Sequence, residues 1–337
     1  MTNVEKINTR KPGRMGEYIK RNRESRGYFV KRALANTIST VFKVVLLFGL
    51  CFLILQPLLN QFSLSVMSRA DLYDASVISI PRNFSLGNYR MAASIMGYWG
   101  ALFRSAGIAF LVAILQITAC TLTAYGFARF QFPLKGFWFM CVILTIIVPP
   151  QTIMAPLFLN FRFFDVFGLF TLFRGSPLNL LDTLTGYLIL VATGMGLRSG
   201  LYVFMLRQYF RTVPKELEEA AYVDGCGKLR TFAQIMLLDA KPILASCFLF
   251  AFVWQWTDGF YSTLFLRSQA VFSVQLSGLA EAYREFHTAI YGEGVSNASI
   301  QVMIATGLLM AVAPLIVLYL FTQRLFVESI GQSGIKM

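Results

Sequence analysis

The chain has 337 residues, of which 56% are hydrophobic and 14% charged, with a mean hydropathy of +0.60. A water-soluble domain carries about a quarter charged residues, so much of this surface needs a solvent other than water. The formal charge of +13 sits in a basic leader and beside apolar runs, a membrane-protein distribution that argues against nucleic-acid binding.

In chain order, residues 1–43 form a basic N-terminal segment with ten Lys or Arg between Lys6 and Arg32. That leader is too long, and the apolar run after it lacks the small-residue cleavage site, for a cleaved signal peptide. Six apolar runs follow, near Val44–Met67, Leu102–Ala128, Phe137–Asn160, Leu184–Leu206, Ile243–Leu264 and Ile300–Gln323. Each crosses about 30 Å of hydrocarbon at about 1.5 Å per residue. The expected class is an all-α polytopic membrane protein of about six helices. A barrel would show short alternating strands instead. The expected divisions are the first transmembrane helix at 44–67, an outer loop at 68–101, a five-helix core at 102–324 and a C-terminal tail at 325–337.

With the N-terminus placed in the cytoplasm, 21 of the 30 basic residues fall on the inner side. Both termini are therefore expected inside, in a bacterial or archaeal plasma membrane. Prolines interrupt several spans, at Pro57, Pro149-Pro150 and Pro314. Neighbouring helices or a wet cavity must then satisfy the carbonyls they free. The Pro149-Pro150-Gln151 break reads either as a packing kink or as part of a gated pathway. Four of the five cysteines lie in apolar runs and none forms a CxxC pair, so they read as packing residues. With His287 as the single histidine, a His-based metal site or a Ser/His/Asp triad is hard to build.

The longest inner loop, 207–242, carries the strongest signal. Pro214 suits the first turn of a helix, and Glu216, Glu218 and Glu219 suit its dipole. Gly225 and Gly227 end that helix. A second short helix is expected near Lys228, with Leu229, Phe232, Ile235 and Met236 on one face. No GxxxxGK[ST] phosphate loop occurs: Gly227-Lys228 is followed by leucine, and Tyr222 stands five residues before Gly227. Lys228 and Arg230 also read as a basic inner-surface patch that meets anionic lipid.

Glu219-Ala220-Ala221, Asp224-Gly225, Phe232, Ile235 and Pro242 resemble the EAA loop of ABC importer permeases, above all the six-helix partner of the maltose-type sugar permeases. The likeness extends over nearly the whole chain after Phe84 and includes Tyr125 through Pro133, Gln323-Arg-Leu-Phe-Val and Ser333 through Met337. One departure is Leu238, where the family usually has proline. The resemblance implies a type I importer permease fold whose coupling helix docks on a separate ATPase. Glu219, Ala220, Ala221, Asp224, Gly225, Gly227, Phe232 and Ile235 would form the coupling surface. It further implies a homologous permease partner in a heterodimer, two ATPase subunits that hold ATP and Mg, an extracytoplasmic solute-binding protein and a carbohydrate solute. This chain itself would bind no cofactor and catalyse no reaction. The loop near Glu281–Asn297 would meet the binding protein, and Gly331–Met337 would reach the ATPases.

Trp254-Gln255-Trp256-Thr257-Asp258 combines indole faces with an amide, as sugar sites do, but also suits a membrane interface. Arg198 is an intramembrane charge that either meets a partner or wet cavity, or snorkels. Gln116 and Gln151 are weaker candidates for the pathway. The rivals are a secondary transporter, poorly served by so few buried carboxylates, and a membrane scaffold without transport.

Overall fold

The computed structural model describes residues 28–74, 76–77 and 80–334. Most of the basic leader and the last three residues lie outside the described range. The chain divides into a first unit ending at Asn60 and a second beginning at Gln61.

Helix α1, Tyr28–Ser65, contributes every described residue of the first unit and runs five residues into the second. It begins well before the expected Val44, because no Gly or Pro between Lys31 and Lys43 stops it. Its large apolar side chains from Leu34 to Leu59 are exposed on every side, as suits a helix made for lipid or for a protein neighbour.

The second unit is helical. Short helices α2 (Arg69–Tyr73) and α3 (Gly87–Met96) occupy the expected outer loop. Asp71 holds that loop together: its carboxylate accepts from the backbone N–H groups of Arg82 and Asn83 and from the Asn83 amide, at 2.8–3.0 Å. These bonds, the Asn83 backbone first, hold its carboxyl below the usual aspartate range.

Helix α4, Tyr98–Arg129, is the central strut. Its buried positions Ala101, Ser105, Ala109, Ala113, Ile117, Cys120 and Ala124 recur every three or four residues and are mostly small. Small residues on one face let neighbouring helix backbones approach closely. Then come α5 (Lys135–Ile147), a tight 3₁₀ turn at Pro150–Ile153, α6 (Met154–Arg162) and α7 (Leu169–Arg174). Next are α8 (Leu184–Leu190), a wide turn at Val191–Met195 and α9 (Ser199–Thr212). The elbow consists of α10 (Glu216–Val223), α11 (Lys228–Thr231), a π turn at Phe232–Met236 and α12 (Leu237–Asp239). The chain finishes with α13 (Lys241–Thr257), α14 (Phe260–Phe265), α15 (Phe272–Tyr291) and α16 (Asn297–Gly334).

Four stretches are long and apolar enough to cross a membrane: Leu34–Ser65, Tyr98–Arg129, Leu184–Thr212 and Asn297–Gln323. Two bent pairs raise the number to six if each is one span: Lys135–Ile147 with Pro150–Arg162, bent by 105°, and Lys228–Asp239 with Lys241–Thr257, bent by 77°. Six therefore matches the expectation in number but not in continuity. The expected third span breaks where Val148 and Pro149 adopt extended backbone, as a residue before proline prefers. The fourth is interrupted at Gly194, whose φ is +77°. The fifth ends at Thr257, ahead of Asp258-Gly259.

Pro314 behaves differently. It lies inside α16 without ending it. The Tyr98 hydroxyl reaches the Met310 carbonyl at 3.3 Å, and the Trp256 indole N–H donates to the Ala311 carbonyl at 3.0 Å. A proline removes the helical donor to the carbonyl four residues back and crowds that turn, so Tyr98 supplies the donor that Met310 loses and Trp256 adds a bond to the next carbonyl. A core of α3, α4, α13, α15 and α16 residues that includes Trp256, Phe272 and Ala311 surrounds these bonds.

Candidate functional site

Two regions hold the residues singled out by sequence. The first is the elbow. Helix α10 starts with Glu216, Glu218 and Glu219 in its first turn and stops at Gly225. The Gly225 N–H donates to the Tyr222 carbonyl and the Cys226 N–H to the Ala221 carbonyl, a glycine-terminated helix end. Gly225 has a φ of +79° with open space around it, so backbone conformation rather than crowding calls for glycine here. Glu219, Ala220, Asp224, Gly225 and Gly227 are exposed, as are the large apolar side chains of Val223 and Leu229 at the tip. Ala221 is buried, and Phe232 and Ile235 are half-buried.

The second arm corrects one expectation. Leu229 does not share a face with Phe232, Ile235 and Met236: it is 85% exposed, whereas Met236 and Thr231 are fully buried. The π turn at Phe232–Met236 admits an extra residue per turn and rotates the apolar stripe away from Leu229. Leu238, at the family's proline position, lies within α12, and Pro242 opens α13 from its first turn, where its missing N–H costs nothing.

A buried anchor beneath the elbow was not foreseen. Glu218 and Arg129 form an ion pair, Nε to Oε1 3.1 Å, with side chains only 7% and 10% exposed for Arg129 and Glu218. The Arg129 Nε–H is not aligned for a hydrogen bond, so this contact is coulombic. Directional bonds come from the Tyr125 hydroxyl, which donates to Glu218 Oε1 at 3.1 Å, and from Arg129 Nη2, which donates to the Val213 carbonyl at 2.8 Å. The Tyr125 ring also packs on Phe232, with centroids 4.6 Å apart, and on Phe210. The second arm is held separately by the Tyr209 hydroxyl, 2.7 Å from the Asp239 carbonyl. The end of α4 thus grips the elbow by its first helix and by Phe232. The sequence signal was the Tyr125–Arg129 spacing of four, which places both side chains on one helix face. It pointed to no partner, because Glu218 is 89 residues further on.

The second region is a cavity of ≈ 300 Å³ lined by residues of α5, the Pro149-Pro150-Gln151 turn, α9 and α13. It brings together Gln151, Arg198 and Trp254 from the candidate pathway. Arg198 does not lie within a continuous helix. Its φ is +61°, and it precedes the first turn of α9. The buried Gln116 amide holds this interruption by donating to the Leu197 carbonyl at 2.6 Å and to Ser199 Oγ at 3.0 Å. The Arg198 guanidinium lies over the Trp254 ring, 3.7 Å from its centroid. Beside the cavity, Gly200 lets α9 approach α5 closely: an added Cβ would collide with Thr145 Oγ1 and the Val142 carbonyl.

Gln255, Trp256 and Asp258 do not line this cavity. Gln255 Oε1 accepts from the buried Tyr187 hydroxyl. Trp256 donates to the Ala311 carbonyl in the turn before Pro314 of α16. Asp258 is buried and accepts from the backbone N–H groups of Phe260, Tyr261 and Ser262 at the start of α14. The five-residue run therefore splits: one indole faces the cavity, and the three other named side chains build the protein.

Three similarities bear on this arrangement. The chain is 28% identical over 301 residues to the sn-glycerol-3-phosphate transport system permease protein UgpE of Yersinia pestis, covering 86% of this chain and 95% of that one. It is 25% identical over 290 residues to the arabinooligosaccharides transport system permease protein AraQ of Halalkalibacterium halodurans, covering 85% and 93%. Its fold resembles a chain in the crystal structure of a bacterial ABC transporter involved in the import of the acidic polysaccharide alginate, with a TM-score of 0.66 and 20% identity over 86% of this chain and 97% of that one. Residues 116–331, which contain the elbow, its anchor and the cavity, match the binding-protein-dependent transport system inner membrane component family. The chain is a member of that family, a membrane transport component rather than an enzyme.

Proposed function

We propose that this chain is one of two permease subunits of an ATP-driven importer for a carbohydrate or related solute. The carrying observation is the elbow: a tip that exposes Glu219, Val223, Asp224, Gly225 and Leu229, on a base fixed by the buried Arg129–Glu218 pair. A motor that pushes on the tip moves α4 and α9 through that base, whereas a loose loop would absorb the displacement. The tip combines acids with the exposed apolar side chains of Val223 and Leu229, which suits insertion into a groove on a separate ATPase subunit. ATP and Mg belong to that partner. A solute-binding protein, two ATPases and a homologous second permease complete the assembly, and both termini of this chain lie in the cytoplasm with the elbow. Carbohydrate as the solute rests on relatives named for glycerol phosphate and arabinooligosaccharides.

Transport follows alternating access. ATP closes the ATPase dimer, the elbow moves, and the helices around Gln151, Arg198 and Trp254 open outward. The energy is the differential affinity of ATP for the two states. In vesicles containing the complete transporter, Glu219→Lys and Gly225→Pro are each expected to abolish uptake while the permease stays in the membrane and the ATPases still hydrolyse ATP. Full transport by both variants would sink docking through this elbow.

A further inference from the structure

We propose that the cavity at Arg198 is a subsite for an anionic group of the solute, so that the imported compound is an acidic sugar or a sugar or polyol phosphate. This deepens the importer reading and rests on it.

Depth comes first. The cavity residues lie on three helices whose far ends are Lys135, Thr212 and Lys241. Helix α5 from Lys135, α9 to Thr212 and α13 from Lys241 up to Trp254 each span about 20 Å at about 1.5 Å per residue. With those ends at one membrane face, the cavity sits about 20 Å into a hydrocarbon layer about 30 Å thick. A charge at that depth is costly without a partner or water.

Among the described residues Arg198, exposed on this chain, has no such partner. The ion pairs among the described residues are Arg82–Asp74, Arg129–Glu218 and Arg284–Glu281. No Asp or Glu lines the cavity. Among the described residues the guanidinium makes no side-chain hydrogen bond, and its packing partner is the Trp254 face. Stacking fixes the plane of a guanidinium and leaves the N–H groups along its edge free. That edge matches the two oxygens of a carboxylate or phosphate.

The setting is built rather than incidental. A left-handed backbone at a non-glycine residue is held by the buried Gln116, and such strain persists where surrounding structure imposes it. Snorkelling would need a straight run to the nearest membrane face, whereas this side chain is folded onto an indole. Gln151, exposed across the cavity, offers an amide to a hydroxyl of the same solute.

The test uses the whole transporter, with its own partner permease, ATPase and binding protein, in vesicles of phosphatidylcholine and, separately, with added phosphatidylglycerol. Two pairs of probes are compared: sn-glycerol 3-phosphate against glycerol, and trigalacturonate against maltotriose. ATP-driven uptake of an acid but not of its neutral counterpart is expected in both lipids. Arg198→Gln should lower that uptake at least tenfold, and Arg198→Lys should retain part of it, with assembly of each variant verified by size-exclusion chromatography. Preference for neutral probes, equal loss of both probe types in Arg198→Gln, or an effect confined to the phosphatidylglycerol vesicles overturns the proposal. The last outcome would identify lipid as the anion. Uptake of neither acid also overturns it, while stimulation of ATP hydrolysis by the binding protein would leave the importer reading standing. Loss of that stimulation in the unmodified transporter would remove the importer reading itself.

Discussion

The chain treats two arginines in opposite ways. Arg129, at the end of α4, is buried against Glu218 and also bonded to the Val213 carbonyl. Arg198, at the cavity, has a stacked indole and no acid among the described residues. A charge that is paired in a dry site fixes geometry, since its partner cannot be exchanged without a large penalty. A charge that is oriented but unpaired keeps its interaction available. The elbow base is therefore built as a rigid joint, and the cavity as a place where contacts can change.

The most severe way to break this contrast is to remove one member of the buried pair. Glu218→Ala should leave Arg129 uncompensated, at a cost of about 3–5 kcal/mol. The expected result is a lower unfolding temperature together with rapid proteolysis between 207 and 242. The exchanged pair Arg129→Glu with Glu218→Arg should recover part of the loss, and no recovery would mean that Tyr125 and Val213, not the charges, set the joint.

Crowding at Gly200 gives the next largest effect. Gly200→Val should force α5 away from α9, costing about 1–3 kcal/mol by overpacking. It should widen the cavity, which a cysteine placed at Thr145 reports as faster labelling by a water-soluble maleimide.

Gly225→Ala sharpens the elbow side of the comparison. A left-handed backbone at a non-glycine residue costs about 1–2 kcal/mol. Because the space around Gly225 is open, the expected effect is a weaker grip on the ATPase without a change in packing, read as a raised ATPase concentration for half-maximal assembly.

The smallest change is Trp254→Phe. It weakens the stacking beneath Arg198 by about 0.5–1 kcal/mol, the worth of a cation–π contact at an accessible site. Solute affinity should fall several-fold at most, with thermal stability unaltered. A loss of stability as large as that of Glu218→Ala would show that the cavity is as rigid as the elbow and erase the distinction.

The pattern along the chain carried the helical class, the six apolar runs and the position of the elbow, because each depends on local runs or spacings of a few residues. Pro149-Pro150 was readable as a break for the same reason. The extent of the 105° bend was not, since an angle depends on what the two halves pack against. The split within Trp254–Asp258 was equally hidden. Neighbours in sequence on one helix point in different directions, and only the positions of Tyr187, Ala311 and α14 decide which of them are occupied.

Sequence by itself determined that this protein lives in lipid, that its spans are helices and that a glycine-ended helix lies between the fourth and fifth of them, because hydropathy, chain rise and backbone freedom are properties of short segments. Tertiary structure alone decided that Arg129 meets Glu218, that the π turn swings Leu229 outward and that Gln151, Arg198 and Trp254 share one cavity. Those outcomes join residues tens of positions apart, and the free energy that selects them comes from burial and pairing between helices, which no local pattern encodes.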